Sequence, residues 1–149
     1  MKKYKIGYTT GVFDMFHIGH LNILKNAKEQ CDYLIVGVTS DELVSYKNKK
    51  AIIPHAERME IVKSIKYVDM VVPQNNMDKV RAWDKYKFDV MFVGSDWKGS
   101  SKWIEYENQF LKRDVDIIYF PYTQGTSSTE LRKVLQKIIT SDVAATKEG

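Results

Sequence analysis

Two hydrophobic rhythms alternate along this chain. Compact apolar runs of strand type occupy residues 4–9, 32–38, 68–72, 88–93 and 116–120. Between them lie stretches whose apolar positions recur every three or four residues, the spacing of one helix face. The run 32–38 is apolar almost throughout, as expected of a strand covered on both faces. The helical rhythm predicts a first helix over 18–30 and, after the capping sequence Thr39-Ser40-Asp41-Glu42, a short one to about residue 46. A third helix starts at Pro54, a residue suited to a first helical turn, and runs to about 66 with Met59, Ile61, Val62 and Ile65 as apolar contacts. A fourth covers about 75–86 with Trp83 inward, and a fifth covers 101–113 with Trp103, Tyr106 and Phe110 on one side. A sixth opens at Ser127, which has capping-box spacing to Glu130, and continues to about 138. Pro73 and Pro121 are expected to stop the third and fifth strands. Strands alternating with helices predict an α/β fold, a Rossmann-like doubly wound parallel sheet of about five strands. A single domain over 1–140 and a flexible polar tail over 141–149 are expected.

Composition adds bounds. With 149 residues, 44% hydrophobic and 28% charged, the chain has the make-up of one soluble globular domain. It holds no apolar run long enough to span a membrane. The charged start, Met1-Lys2-Lys3-Tyr4-Lys5, lacks the apolar segment of a signal peptide. The single cysteine, Cys31, cannot form an internal disulfide, which fits a reducing, cytoplasmic setting. Beside the apolar run 33–36 it reads as a core-edge residue. A net charge of +4 suits anionic small-molecule substrates. No basic stripe with interleaved aromatics and no nucleic-acid motif is present, so nucleic acid is not expected as a partner.

Chemistry concentrates where the first strand meets the first helix. Thr10-Gly11-Val12-Phe13-Asp14 leads into His17-Ile18-Gly19-His20. The first N–H groups of a helix lack internal partners and carry the positive end of its dipole, so this junction suits an anion. Gly19 leaves room for close approach to the backbone. Two imidazoles there could neutralise charge growing on a phosphoryl group. A structural or solvated pair of histidines is the competing reading. Gly94-Ser95-Asp96-Trp97 closes the fourth strand at the sheet edge where open α/β sheets bind ligands. An aspartate there can accept from an amine or hydroxyl, and an indole can cover a base; a structural turn is the alternative. A second helix opening, Ser127-Ser128-Thr129, could cradle another phosphate or act as an ordinary cap. Lys47-Asn48-Lys49-Lys50 reads on charge alone as a solvated loop. Arg58 sits in the first turn of its helix, where the dipole disfavours a cation, and this points to an anion contact. The usual dinucleotide fingerprint G-x-G-x-x-G is missing.

The pattern G-V-F-D-x-x-H-x-G-H over 11–20 resembles the signature of the nucleotidylyltransferase superfamily, most closely its cytidylyltransferases. The similarity returns at 47–51, at His55-Ala56-Glu57-Arg58, at Tyr67-Val68-Asp69, at Gly94–Trp97 and at 123–129, covering about 5–138. Five blocks in order are far more specific than one H-x-G-H. The resemblance implies attack by a substrate phosphate oxygen on the α-phosphorus of CTP, with pyrophosphate leaving. It implies catalytic roles for His17, His20 and Lys49. Nucleotide contacts are implied for Thr10, Gly11, Val12, Phe13, Asp14, Gly19, Asp96, Trp97, Tyr122, Thr123, Gly125, Ser127, Ser128 and Thr129. Acceptor contacts are implied for Lys47, Arg58 and Lys66. It further implies Mg²⁺ carried mainly by the triphosphate, a homodimer, and a place in cell-wall or capsule precursor synthesis. The acceptor is a small phosphorylated alcohol, glycerol 3-phosphate first, with phosphocholine, phosphoethanolamine and related phosphates open. Adenylyl transfer from ATP and a nucleotide-binding regulator are the alternatives. Three positions depart from the family pattern. Tyr122 stands where an arginine is usual, Lys66 stands where an arginine is frequent, and Val12 stands where a threonine is frequent.

Overall fold

The computed structural model describes residues 3–46, 50–121 and 128–148. Its elements run β1 (Tyr4–Gly11), α1 (Ile18–Gln30), β2 (Cys31–Thr39), α2 (Asp41–Tyr46), α3 (His55–Lys63), β3 (Met70–Gln74), α4 (Lys79–Tyr86), β4 (Val90–Gly94), α5 (Ser101–Leu111), β5 (Asp116–Phe120) and α6 (Ser128–Glu148). A single 3₁₀ turn, Ser95–Trp97, follows β4. All five strands are parallel, in the order β3-β2-β1-β4-β5. This is the doubly wound α/β sheet that the hydrophobic rhythm predicts.

The core lies on both faces of the sheet. On one face Leu24 and Ala27 of α1 and Val62 of α3 pack on Leu34, Val36, Val38, Val90 and Phe92. On the other, Trp103, Tyr106 and Phe110 of α5 pack on Tyr8, Ile35, Val72 and Met91, with Trp83 of α4 partly buried beside them. Cys31 is fully buried at the start of β2, its thiol donating to the Ala27 carbonyl.

Several boundaries differ from the expected ones. Pro73 does not stop β3; it lies inside it, opposite Val38. β3 is an edge strand, and a proline fits there because its missing N–H can face outward. The fourth helix starts later than expected, at Lys79. Asp78 caps it, its carboxylate accepting from the Val80 and Arg81 N–H groups. Ile61 is exposed rather than packed. The last helix runs past residue 140 to Glu148.

The winding fixes where a site can lie. From β1 the chain winds outward through β2 and β3, then crosses back to β4 and β5 on the other side of β1. The carboxyl ends of β1 and β4 therefore form the switch point where open α/β sheets hold ligands.

Candidate active site

Beyond β1 the backbone enters the left-handed region at Phe13 (φ 53°) and again at Met15 (φ 47°). Such conformations are costly for residues with a side chain and are kept where the surroundings over-determine them. Here they turn the residue between them, Asp14, into the protein. Its two carboxylate oxygens accept from the Ile52 N–H (2.8 Å) and the Ile53 N–H (2.9 Å), and from Arg132 of α6. Burial pushes the Asp14 carboxyl up, but these hydrogen bonds and the guanidinium outweigh it and hold the group below its ordinary value. Asp14 thus ties the β1–α1 loop to residues 52–53 and to α6. Phe13 turns its ring into the core, edge-on to His20 with centroids 5.3 Å apart. The sequence placed both residues among the nucleotide contacts; the structure gives their side chains bracing work.

The histidines form a reciprocal cap. His17 Nδ1 accepts from the Gly19 N–H (3.1 Å), and His20 Nδ1 accepts from the His17 N–H (3.2 Å). Backbone amides can only donate, so both Nδ1 atoms are acceptors and any ring proton of a neutral imidazole sits on Nε2. The rings lie 3.9 Å apart, centroid to centroid. Burial holds His17 below its ordinary pKa. Burial, then the neighbouring His17, lowers His20 to about 4, against an upward pull from Asp14. At neutral pH the pair therefore offers two Nε2–H donors and no fixed positive charge.

Two adjoining cavities meet over the ends of β1 and β4. Thr10, Gly11, Val12, Gly94 and, from α2, Val44 line both. The first, about 240 Å³, lies on the α1 face and adds His20, Asp14 and Arg132. The second, about 530 Å³, lies on the α4/α5 face and adds Lys79, Trp97, Trp103 and Tyr106 among others. Trp97 is 48% exposed at its mouth. Asp96 is exposed and lines neither cavity; its Oδ1 lies 2.7 Å from the place a Cβ on Gly94 would take, so a side chain at Gly94 would require this carboxylate to swing aside.

Two of the residues expected to contact the acceptor, Arg58 and Lys66, line neither cavity. Arg58 is 1% exposed beneath the site. Its guanidinium donates to the Ile53, Val12 and Thr39 carbonyls and to Asp41, at 2.6–2.8 Å. The helix-start argument for an anion was sound, but the protein supplies the partner itself. Lys66 is exposed beyond the C-terminus of α3, its ammonium over the Tyr67 ring. That end of α3 lies away from the cleft, since His55 at its start bonds the Val38 carbonyl near the carboxyl end of β2. Lys47, Lys49, Tyr122, Thr123, Gly125 and Ser127 lie outside the described residues, and Ser128 and Thr129 are described by backbone alone.

Val44, Lys79 and Arg132 are among the cavity-lining residues that escaped the sequence reading. Arg132, one turn into α6, pairs with Asp14, and its Nε is buried with no partner among the described residues. Lys79 is buried in the first turn of α4 and donates to Thr10 Oγ1 (3.1 Å). A cation at a helix start was the available signal for Lys79. Nothing local revealed which face of α6 Arg132 occupies.

Comparison with known proteins decides the family. A family profile described as Cytidylyltransferase-like matches residues 8–134, most of the chain. The protein belongs to the cytidylyltransferase-like family. This member is 38% identical over 126 residues to a glycerol-3-phosphate cytidylyltransferase of Bacillus spizizenii, covering 84% of this chain and 92% of that one. It is 36% identical over 128 residues to the enzyme so named from Staphylococcus aureus, covering 85% and 92%. An FAD synthase of Pyrococcus abyssi is 32% identical over 130 residues, covering 86% and 88%. Among solved structures, a lipopolysaccharide core biosynthesis protein of Thermoplasma volcanium shares the fold, with a TM-score of 0.69 at 24% identity, over 83% of this chain and 99% of that one. No described helix of this cytidylyltransferase-like protein is long and apolar enough to cross a membrane.

Proposed function

We propose that this protein transfers CMP from CTP to glycerol 3-phosphate, giving CDP-glycerol and pyrophosphate. A phosphate oxygen of glycerol 3-phosphate attacks the α-phosphorus, and the bond from that phosphorus to the bridging oxygen of pyrophosphate breaks. The protein need supply no nucleophile; catalysis is positioning and charge stabilisation. The observation that carries the reading is the reciprocal histidine cap, with both Nε2–H donors left for a ligand at the sheet's switch point. The similarity to glycerol-3-phosphate cytidylyltransferases over nine-tenths of their length supports the substrates.

In this reading His17 and His20 donate to the α- and β-phosphate oxygens as charge grows there. Arg132 adds its positive charge, and its unpartnered Nε gains an acceptor. The family resemblance adds phosphate contacts from Lys47, Lys49, Ser127, Ser128 and Thr129. Arg58 holds the loop beneath. Mg²⁺ fits as a passenger of the triphosphate: Asp14 is committed to two amides and an arginine, and the first cavity's described lining has no second carboxylate. When bound, the ion would offset charge on the triphosphate oxygens. The proposal extends to a cytoplasmic homodimer serving cell-wall or capsule precursors.

A pyrophosphate-release assay crossing CTP and ATP with glycerol 3-phosphate and other phosphorylated substrates tests it. CTP with glycerol 3-phosphate should be the fastest pair. Preference for ATP with a flavin phosphate would favour the second reading, adenylyl transfer, which the likeness to FAD synthases supports. Nucleotide binding without pyrophosphate release would leave a regulator.

A further inference from the structure

We infer that a third cavity, about 290 Å³ and set between α4 and the edge strand β3, is a separate ligand site that takes a small phosphate ester bearing hydroxyl groups. Its wall includes Tyr8, Asn75, Asp78, Arg81, Lys85 and Tyr86. Of its lining residues only Lys79 also lines a cavity of the catalytic cleft. The transfer proposed above uses none of them, and the inference stands whichever nucleotide the cleft takes.

The buried end of this cavity has an unmet donor. The Tyr8 ring is covered by Phe88, with centroids 4.7 Å apart, and by Tyr86 at 5.7 Å. Its hydroxyl reaches across to β2, 2.9 Å from the place a Cβ on Gly37 would take. Tyr8 is 2% exposed, and no described residue hydrogen-bonds that hydroxyl. Burial, then the neighbouring Tyr86, pushes its pKa up, so it stays a neutral donor. A buried hydroxyl left so is costly, and a ligand oxygen relieves it. The other side-chain amides are partly spent: Gln74 on Thr39 and Met77, and the Asn76 carbonyl on the Asp78 N–H. The outer end is cationic. Arg81 and Lys85 are exposed, stand one turn apart on α4 and share a face. Neither forms an ion pair among the described residues. Asp78 is the single carboxylate among the described lining residues, and its Oδ1 already accepts from the Val80 and Arg81 N–H groups. A guanidinium with an ammonium one turn away grips a phosphate at two points. A bare anion would stop at these cations, and an apolar tail would leave Tyr8 unmet. A hydroxylated phosphate ester satisfies both ends.

The test is calorimetric titration of the full chain with ribose 5-phosphate, inorganic phosphate and ribose. Ribose 5-phosphate should bind with a Kd below about 1 mM, at least about tenfold tighter than inorganic phosphate, while ribose gives no measurable heat. Arg81→Gln should weaken the ester about tenfold and Lys85→Gln about threefold. Tyr8→Phe should weaken the ester about fivefold and leave inorganic phosphate unchanged, because only the ester reaches the buried end. His17→Ala and Lys102→Gln, which alter the catalytic cleft, should leave the ester's Kd within about twofold. Binding that is lost in those two variants and kept in Arg81→Gln puts the ligand in the cleft and overturns the inference. An ester that binds Tyr8→Phe as it binds the wild type overturns it too, as does no saturable binding below about 10 mM. Should Tyr8→Phe fail to fold, a crystal of the wild-type chain soaked in ribose 5-phosphate decides. A sugar oxygen within about 3 Å of Tyr8 Oη supports the inference, and ester density in the cleft alone overturns it. Pyrophosphate release enters none of these readouts, so a failure of the transfer reading leaves the result untouched.

Discussion

His20 is a residue whose proton affinity falls on folding. Its imidazole has a pKa of about 4 in the folded protein, against an ordinary value of 6.5. Between these values the unfolded chain binds more protons, so folded stability rises with pH across that window and is lost as pH falls through it. The thermal midpoint of the ligand-free protein should therefore drop as pH is lowered from about 6.5 to about 4, and His20→Asn should flatten that slope. Calorimetry across the window checks it. Replacing His17 by alanine should lower turnover by about a hundredfold, the scale of one lost transition-state donor. A pyrophosphate-release assay reads that loss. The sequence pointed to both histidines because they share one motif. It could not show that both rings turn Nδ1 onto backbone N–H groups at the start of α1, since that depends on ring orientation. For Arg58 the chain gave the right physics and the wrong partner. A cation at a helix start does need compensation, but Asp41 and the Val12 and Thr39 carbonyls come from segments that only tertiary structure brings near.

At the level of elements, that arginine joins α2, α3 and the β1–α1 loop. Arg58→Met would strand the Val12, Thr39 and Ile53 carbonyls, which now accept from it. Unmet buried acceptors cost about 1–3 kcal/mol each, so unfolding in urea should show a loss of about 3 kcal/mol or more. Because Val12 lines both cavities, KM for CTP should rise in the same variant. Element types and order were legible as a change of period, strand to helix and back. Ends were less so. Asn75 to Met77 carry no strong stop signal, and the start of α4 is set by the Asp78 side chain. Pro73 looked like a terminator because a sequence does not say which strand will be the sheet's edge.

For the molecule as a whole, the alternating pattern and the connection rules led to a doubly wound parallel sheet. The strand order was not legible, because any strand could have been central. In the central place that β1 takes, its neighbours press closely on both sides. A methyl added at Gly7 would stand 2.7 Å from the Phe92 ring and 2.8 Å from Cys31 Sγ. Gly7→Ala should thus overpack the middle of the sheet and lower stability by about 1–3 kcal/mol, read from chemical denaturation. Pro73 has a further effect at the opposite extreme, on the rim. A backbone nitrogen without hydrogen interrupts the row of donors that an incoming strand would need. Growth of the sheet sideways past β3 is blocked at that point, and any second copy approaching this flank must fit against side chains rather than stitch its own backbone on.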